Sequence, residues 1–264
     1  MKLSALILIL LTAVASGDPD PAIPAEMVLV EGGVFTPMFG EIEEPRTVGA
    51  FLIDRRPVTN AEFLEFVRKH PKWQRSNAKQ LFADRGYLSH WSGDLDLGEN
   101  APPNAAVIRV SWFAARAYLK SVGKRLPRED EWEFAALADE NQTDASKDPA
   151  FLKHILDWYG KPTPQRLAEV STLPRDVRGI AGLHGNVWEW VMDFNKQMVT
   201  GAARSDTSLD RSLFCAGGAV NATDAANYAA FMRYAFRSSL EGNYTTNNLG
   251  FRGARDVERN PNKP

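Results

Sequence analysis

Cys215 is the only cysteine in a chain of 264 residues. One thiol closes no intramolecular disulfide and makes no CxxC metal or redox site. Such a chain has to hold its fold by burying apolar surface. Its 44% hydrophobic and 24% charged residues give an ordinary globular balance with ample material for a core. The formal net charge of -2, without basic runs, offers no electrostatic reason to expect nucleic acid as a partner.

Residues 1–15 read as a secretory signal peptide. Lys2 supplies the positive start, an apolar run follows, and Ala13-Val14-Ala15 meets the small-residue cleavage rule. The run falls well short of the ~20 residues that cross a bilayer, so no membrane span is expected after cleavage. The mature protein is expected in the periplasm or secreted. Residues 16–26, rich in Pro and Asp, read as a short leader, 27–256 as one domain, and 257–264 as a polar tail.

Within that domain, residues 27–35 and 48–54 have the β-branched, apolar character of strands, with Gly32-Gly33 marking a turn or bulge. Thr59 and Glu62 have the spacing of a capping box, and Phe63, Phe66 and Val67 follow on one helical face. Ser111 caps a second helix, with Trp112, Ala115, Tyr118, Leu119 and Val122 on one side and Gly123 ending it. A third helix follows Pro127, its first turn acidic and its Trp132, Phe134, Ala135 and Ala136 pointing to burial. Asp148-Pro149 opens a further short helix. Beyond it the chain reads as loop-rich. Few strands, then helices, then long irregular stretches argue for a single α+β domain whose loops carry the function.

Five segments carry a resemblance: MVLVEGG (27–33), RRPVTNAEFLEFV (55–67), VSWFAARAYLKSVGKRLPREDEWEFAA (110–136), HGNVWEW (184–190) and NLGFRGARD (248–256). In this order they resemble the formylglycine-generating enzyme, or sulfatase-modifying factor, family. The resemblance implies one α+β domain of the C-type-lectin-like sort. It also implies a cleft lined by the 215–252 segment, with Arg233, Arg237, Asn248 and Arg252 as substrate-cleft candidates. As a fork of fixed donors, Arg252 also suits a buried carboxylate or carbonyl, with Glu133 and Glu189 both eligible.

The family's oxidases bind copper through two cysteines upstream of the GFR motif, and soft thiolates suit Cu(I). Counting back from Gly250-Phe251-Arg252 places those positions on Asp224 and Ala229, while counting forward from Gly217-Gly218 places the first on Ala222. Neither register finds a cysteine, so the thiolate copper site is absent. Cys215 reads as a lone copper ligand, a nucleophile or a buried small hydrophobe. Asp224 reads as a hard ligand, an acid/base or a helix cap.

The resemblance also implies a calcium loop at Gly185, Asn186, Val187 and Glu189. Gly182, where the family carries Asp or Asn, removes an oxygen ligand and leaves a weakened Ca2+ site or none. Relatives that make ergothioneine use a three-histidine iron site in an extra helical domain. The four histidines here show no HxxH or HxH spacing, so iron, like copper, lacks ligands. His184 reads as a structural hydrogen-bonding group or a weak catalytic candidate.

The expected function is a periplasmic maturation or accessory protein on this scaffold, acting on or binding a peptide or a partner metalloenzyme. Exported relatives of that kind resemble proteins associated with pyoverdine chromophore maturation or copper nitrite reductase. The alternatives are a metal-dependent oxidase with a non-cysteine ligand set, drawn from Asp224, His184 or Cys215, and a lectin-like binding module.

Overall fold

The computed structural model describes residues 24–36, 45–195 and 225–257. Residues 1–15, expected to be a signal peptide, and also Cys215 and Asp224, lie outside them. The described residues form an α+β domain in which small sheets tie together five α-helices and long loops.

The central sheet has three antiparallel strands, with β4 (Phe51–Asp54) between β1 (Met27–Val30) and β7 (Ala254–Asp256). Met27 pairs with Asp54, and Phe51 with Asp256. The two ends of the described domain are thus joined through one strand. All four residues of β4 are buried, as expected of a strand covered on both faces.

Each of the two expected strands divides. β2 (Gly33–Phe35) and β3 (Arg46–Val48) pair with one another in a separate hairpin. The break falls at Gly32, where a Cβ would lie 2.6 Å from the Val48 carbonyl oxygen. A third pair, β5 (Trp188–Glu189) with β6 (Leu249–Gly250), is parallel.

Local signals place the first four helices. At α1 (Asn60–Lys69) the Thr59 side chain accepts from the Glu62 amide while Glu62 accepts from the Thr59 amide, the reciprocal capping box. Ser111 caps α2 (Trp112–Ser121) by accepting from the Ala114 amide. Val122, expected on the inner side, is 48% exposed because the helix has already ended there. Helix α3 (Glu129–Ala135) begins with three acidic residues, and α4 (Pro149–Tyr159) has Asp148 as its cap and proline at its first position.

Helix α5 (Ala225–Ser238) runs through the stretch read as loop-rich, and it begins at the residue after Asp224, where the helix-cap reading of that residue expects a helix. Its inner face is Ala229, Ala230, Arg233, Tyr234 and Arg237, all buried. Two arginines on that face disguise the apolar period. Phe251, with no exposed surface to speak of, meets Phe63 of α1 and Tyr118 of α2 edge-on, at 6.0 and 5.5 Å between ring centres. This aromatic contact marks the middle of the core, where large rings contribute most.

Candidate functional site

The interior around α3 holds an unusual concentration of charge. Arg252 follows Gly250, where a Cβ would stand 2.6 Å from the Val107 carbonyl oxygen, so only glycine lets the chain pass. The Arg252 guanidinium donates to Glu189 through Nε at 2.8 and 3.0 Å and Nη2 at 2.8 Å. It also donates to the carbonyls of Ala181 at 2.8 Å and Asp54 at 3.2 Å. Trp132 Nε1 adds a further donor to Glu189 at 2.8 Å. Of the two eligible carboxylates, Glu189 is therefore the partner of Arg252.

Glu133 serves the other two arginines. Arg233 donates to it at 2.7 and 3.0 Å, and Arg237 at 2.6 Å. Arg233 also donates to the Tyr159 hydroxyl at 3.1 Å, and Arg237 lies 4.8 Å from the centre of the Trp132 ring. Burial pushes the Glu133 carboxyl up, but the Arg233 and Arg237 charges outweigh it and hold the group at about 2. One turn earlier, Glu129 reaches Arg237 only at 3.4 Å, and one of its oxygens, Oε2, has no hydrogen-bond partner among the described residues. Burial there wins over Arg237, and the carboxyl rises to about 7.

Arg233, Arg237 and Arg252 are thus buried braces within the fold, each facing a carboxylate. Asn248 differs: it is half-buried, its Oδ1 accepts from the Thr246 hydroxyl at 2.9 Å, and its carbonyl accepts from the Trp188 amide at 2.8 Å. Beside it Trp188 stacks on Tyr159, 4.8 Å away with the rings inclined by 22°, and meets Phe236 at 4.7 Å and Trp158 at 5.4 Å. All four rings are half-buried. They join α4, β5 and α5 and leave a partly open aromatic surface next to Asn248.

In the segment expected to form a calcium loop, Gly185 has φ +94°, and Asn186, Val187 and Glu189 are buried. Glu189 faces a guanidinium and an indole N–H, so both of its oxygens are already engaged. Calcium wants about six to eight oxygens, and this donor set does not suit it. Among the described residues no group of three or more His, Cys, Asp or Glu could hold a metal. For copper, the second lost cysteine position, Ala229, is a fully buried alanine of α5. That helix begins at Ala225, the residue after Asp224.

His184 is 8% exposed and bonds through Nε2 to the Ala136 carbonyl at 2.9 Å. A carbonyl only accepts, so Nε2 carries the proton. Burial, reinforced by the Arg233 charge, brings the imidazole down to about 3. It is a neutral ring with a structural bond, packed edge-on against Trp132 and Phe151.

Residues 13–257 match the family described as the sulfatase-modifying factor enzyme 1-like domain. The chain belongs to this family. It is 30% identical to the bovine protein named inactive C-alpha-formylglycine-generating enzyme 2, over 81% of this chain and 80% of that one. It is 33% identical to the formylglycine-generating enzyme of Streptomyces coelicolor, over 59% of this chain and 54% of that one. A serine/threonine-protein kinase Pkn1 from Chlamydia trachomatis is 28% identical over 67% of this chain, which spans only 29% of that kinase's length. Among solved structures, PvdO from Pseudomonas aeruginosa aligns over 88% of this chain and 94% of its own, with 17% identity and a TM-score of 0.48.

The family motifs thereby gain physical roles. GFR supplies the core ring Phe251 and the brace Arg252, the GNVWEW loop supplies its carboxylate, and the EWEFAA helix supplies Trp132 and Glu133. What sequence reasoning missed was the pairing of Arg233 and Arg237 with Glu133. Their spacing of four residues on one helical face was the available signal.

Proposed function

We propose that this chain is an exported binding or accessory member of the sulfatase-modifying factor family, acting without thiolate-copper oxidation. The observation that carries the reading is the single cysteine among 264 residues. A two-thiolate Cu(I) site needs a second cysteine, and the sequence holds only Cys215. The burial of Arg233 and Arg237 against Glu133 supports it, because charged side chains locked into the fold are withheld from a substrate. So does the likeness, over four-fifths of each chain, to a bovine relative whose name declares it inactive.

The ligand in this reading is a peptide or a partner protein of the periplasm, such as a metalloenzyme under maturation. It meets the half-buried rings of Trp188, Tyr159 and Phe236 beside Asn248, since aromatic groups that are partly open suit peptide contact. The export segment at residues 1–15 sets the compartment, and no helix among the described residues is long and apolar enough to cross a membrane. The test is affinity capture from periplasm with the tagged full chain. A peptide or enzyme retained by the native protein and lost with Trp188→Ala supports the reading. Retention of nothing, or a catch indifferent to Trp188, contradicts it.

A further inference from the structure

Leu81 and Phe82 are 74% and 39% exposed. Phe82 meets Phe113 of α2 edge-on at 5.4 Å between ring centres, and Phe113 meets Trp112 in the same way at 5.4 Å. Both α2 rings are only half-buried, so the three rings form one continuous surface, with Leu81 adjoining in the chain. Contiguous apolar groups left open in this way mark interaction sites.

The surroundings of this patch are basic. Arg116, one helical turn on from Trp112, lies 5.0 Å from the centre of that ring. The Lys79 carbonyl accepts from the Phe82 amide at 2.8 Å, and Arg85 follows three residues after Phe82. All three cations are exposed and form no ion pair among the described residues. Of the nearby acids, Asp84 accepts from the Gly86 amide at 2.8 Å and the Thr245 amide at 3.2 Å. Glu241 is exposed beside Gly242, where a Cβ would lie 3.0 Å from the Phe113 ring.

The occupant that suits a basic, aromatic surface is an acidic segment carrying an apolar side chain, and this chain has one. The Gly93 amide donates to the Asp96 carbonyl at 3.0 Å, closing a tight turn on which Leu95 is 43% exposed. Asp94 and Asp96 flank Leu95, Glu99 follows, and no Lys or Arg occurs between residues 92 and 108. The Asp94 carboxylate accepts from the Ser76 amide at 2.8 Å and the Ser76 hydroxyl at 2.6 Å, three residues before Lys79. The acidic turn therefore stands beside the basic patch. That neighbourhood speaks against an anionic membrane, which would be repelled by the turn as it approached the patch. A two-fold rotation, by contrast, lays the turn of each copy over the patch of the other, the self-complementary arrangement of an isologous dimer.

We propose that this face pairs with a second copy of the chain about a two-fold axis, the Leu95 turn of each copy seated on the Leu81–Phe82 patch of the other. The inference does not depend on the accessory reading above and stands if that reading fails.

The test is sedimentation velocity of the full chain over a concentration series, with two variants at exposed positions. A concentration-dependent dimer is expected, about tenfold weaker at about 1 M salt, where the Debye length falls to ~3 Å. Leu81→Glu sets a negative charge against the acidic turn, and Leu95→Lys sets a positive one against the basic patch. Each is expected to weaken the dimer about a hundredfold, as like charges do across an interface. Mixing the two variants is the decisive step, because the mixed dimer keeps one native contact and faces Glu with Lys in the other. Recovery to within about tenfold of the native affinity is expected on mixing. A chain that stays monomeric, a dimer indifferent to either variant, or no recovery on mixing overturns the proposal. So does a monomer that floats with phosphatidylglycerol vesicles and is released by Leu81→Glu, which assigns the face to a membrane.

Discussion

Arg252 clamps both carboxylate oxygens of Glu189 at 2.8 to 3.0 Å, and neither side chain has exposed area. The two residues are 63 positions apart, and the same guanidinium holds the carbonyls of Asp54 and Ala181. One side chain thus joins β4, the loop before the GNVWEW motif, β5 and the turn into β7.

Removing one member of a buried ion pair leaves an uncompensated charge and costs about 3–5 kcal/mol. Arg252→Met is expected to lower unfolding stability by that amount in a urea titration. Adding Glu189→Gln is expected to recover part of the loss, because the stranded charge goes with its partner. A double variant no better than the sum of the two singles would deny the coupling.

Glu129 and Glu133, one turn apart, impose opposite pH dependences. Glu133 titrates at about 2, below its unfolded value of 4.5. Its contribution is present above 4.5 and is lost as pH falls towards 2. Glu129 titrates at about 7. Being raised, it favours the fold fully below 4.5, and that contribution disappears as pH rises through 7. Glu129→Gln is expected to be the more stable protein at pH 8, by on the order of a few kcal/mol, with the gap closing towards pH 4.5. Denaturant midpoints across that range measure it, and an unchanged profile would refute the assignment.

His184 is expected to show no imidazole titration between pH 8 and 4, since its folded value is about 3. Its sign follows from a lowered base. The contribution to stability is complete above the unfolded value near 6.5 and shrinks as pH falls from there towards 3. A proton NMR titration of the ring decides this, and a midpoint near 6.5 would contradict the buried, neutral ring.

Gly250→Ala places a methyl 2.6 Å from the Val107 carbonyl oxygen. Backbone cannot yield as a flexible side chain does, so a loss of about 1–3 kcal/mol is expected. Thermal unfolding would detect it, and a neutral result would show that β6 can shift.

Local chemistry explains which parts of this fold are legible in the sequence. Thr59 with Glu62, Ser111, and Asp148 with Pro149 mark helix starts through bonds made within a few residues, and each lies where its spacing indicates. Helix α5 is signalled only by Asp224 as a possible cap, because its inward positions 233 and 237 are charged, and only Glu133, about a hundred residues earlier, makes their burial tolerable. The choice between Glu133 and Glu189 as the partner of Arg252 likewise rests on long-range folding that no local pattern encodes. The count of one cysteine, in contrast, carries its consequence without any structure.

That consequence is tested most directly by supplying copper, oxygen and a Cys-x-Pro-x-Arg peptide to the purified full chain. Oxygen uptake is then followed alongside the mass of the peptide. The expected result is no enzyme-dependent oxygen consumption and an unchanged peptide mass. Conversion of the peptide cysteine to formylglycine, seen as the corresponding mass loss, would contradict the account of this chain as a family member working without thiolate-copper chemistry.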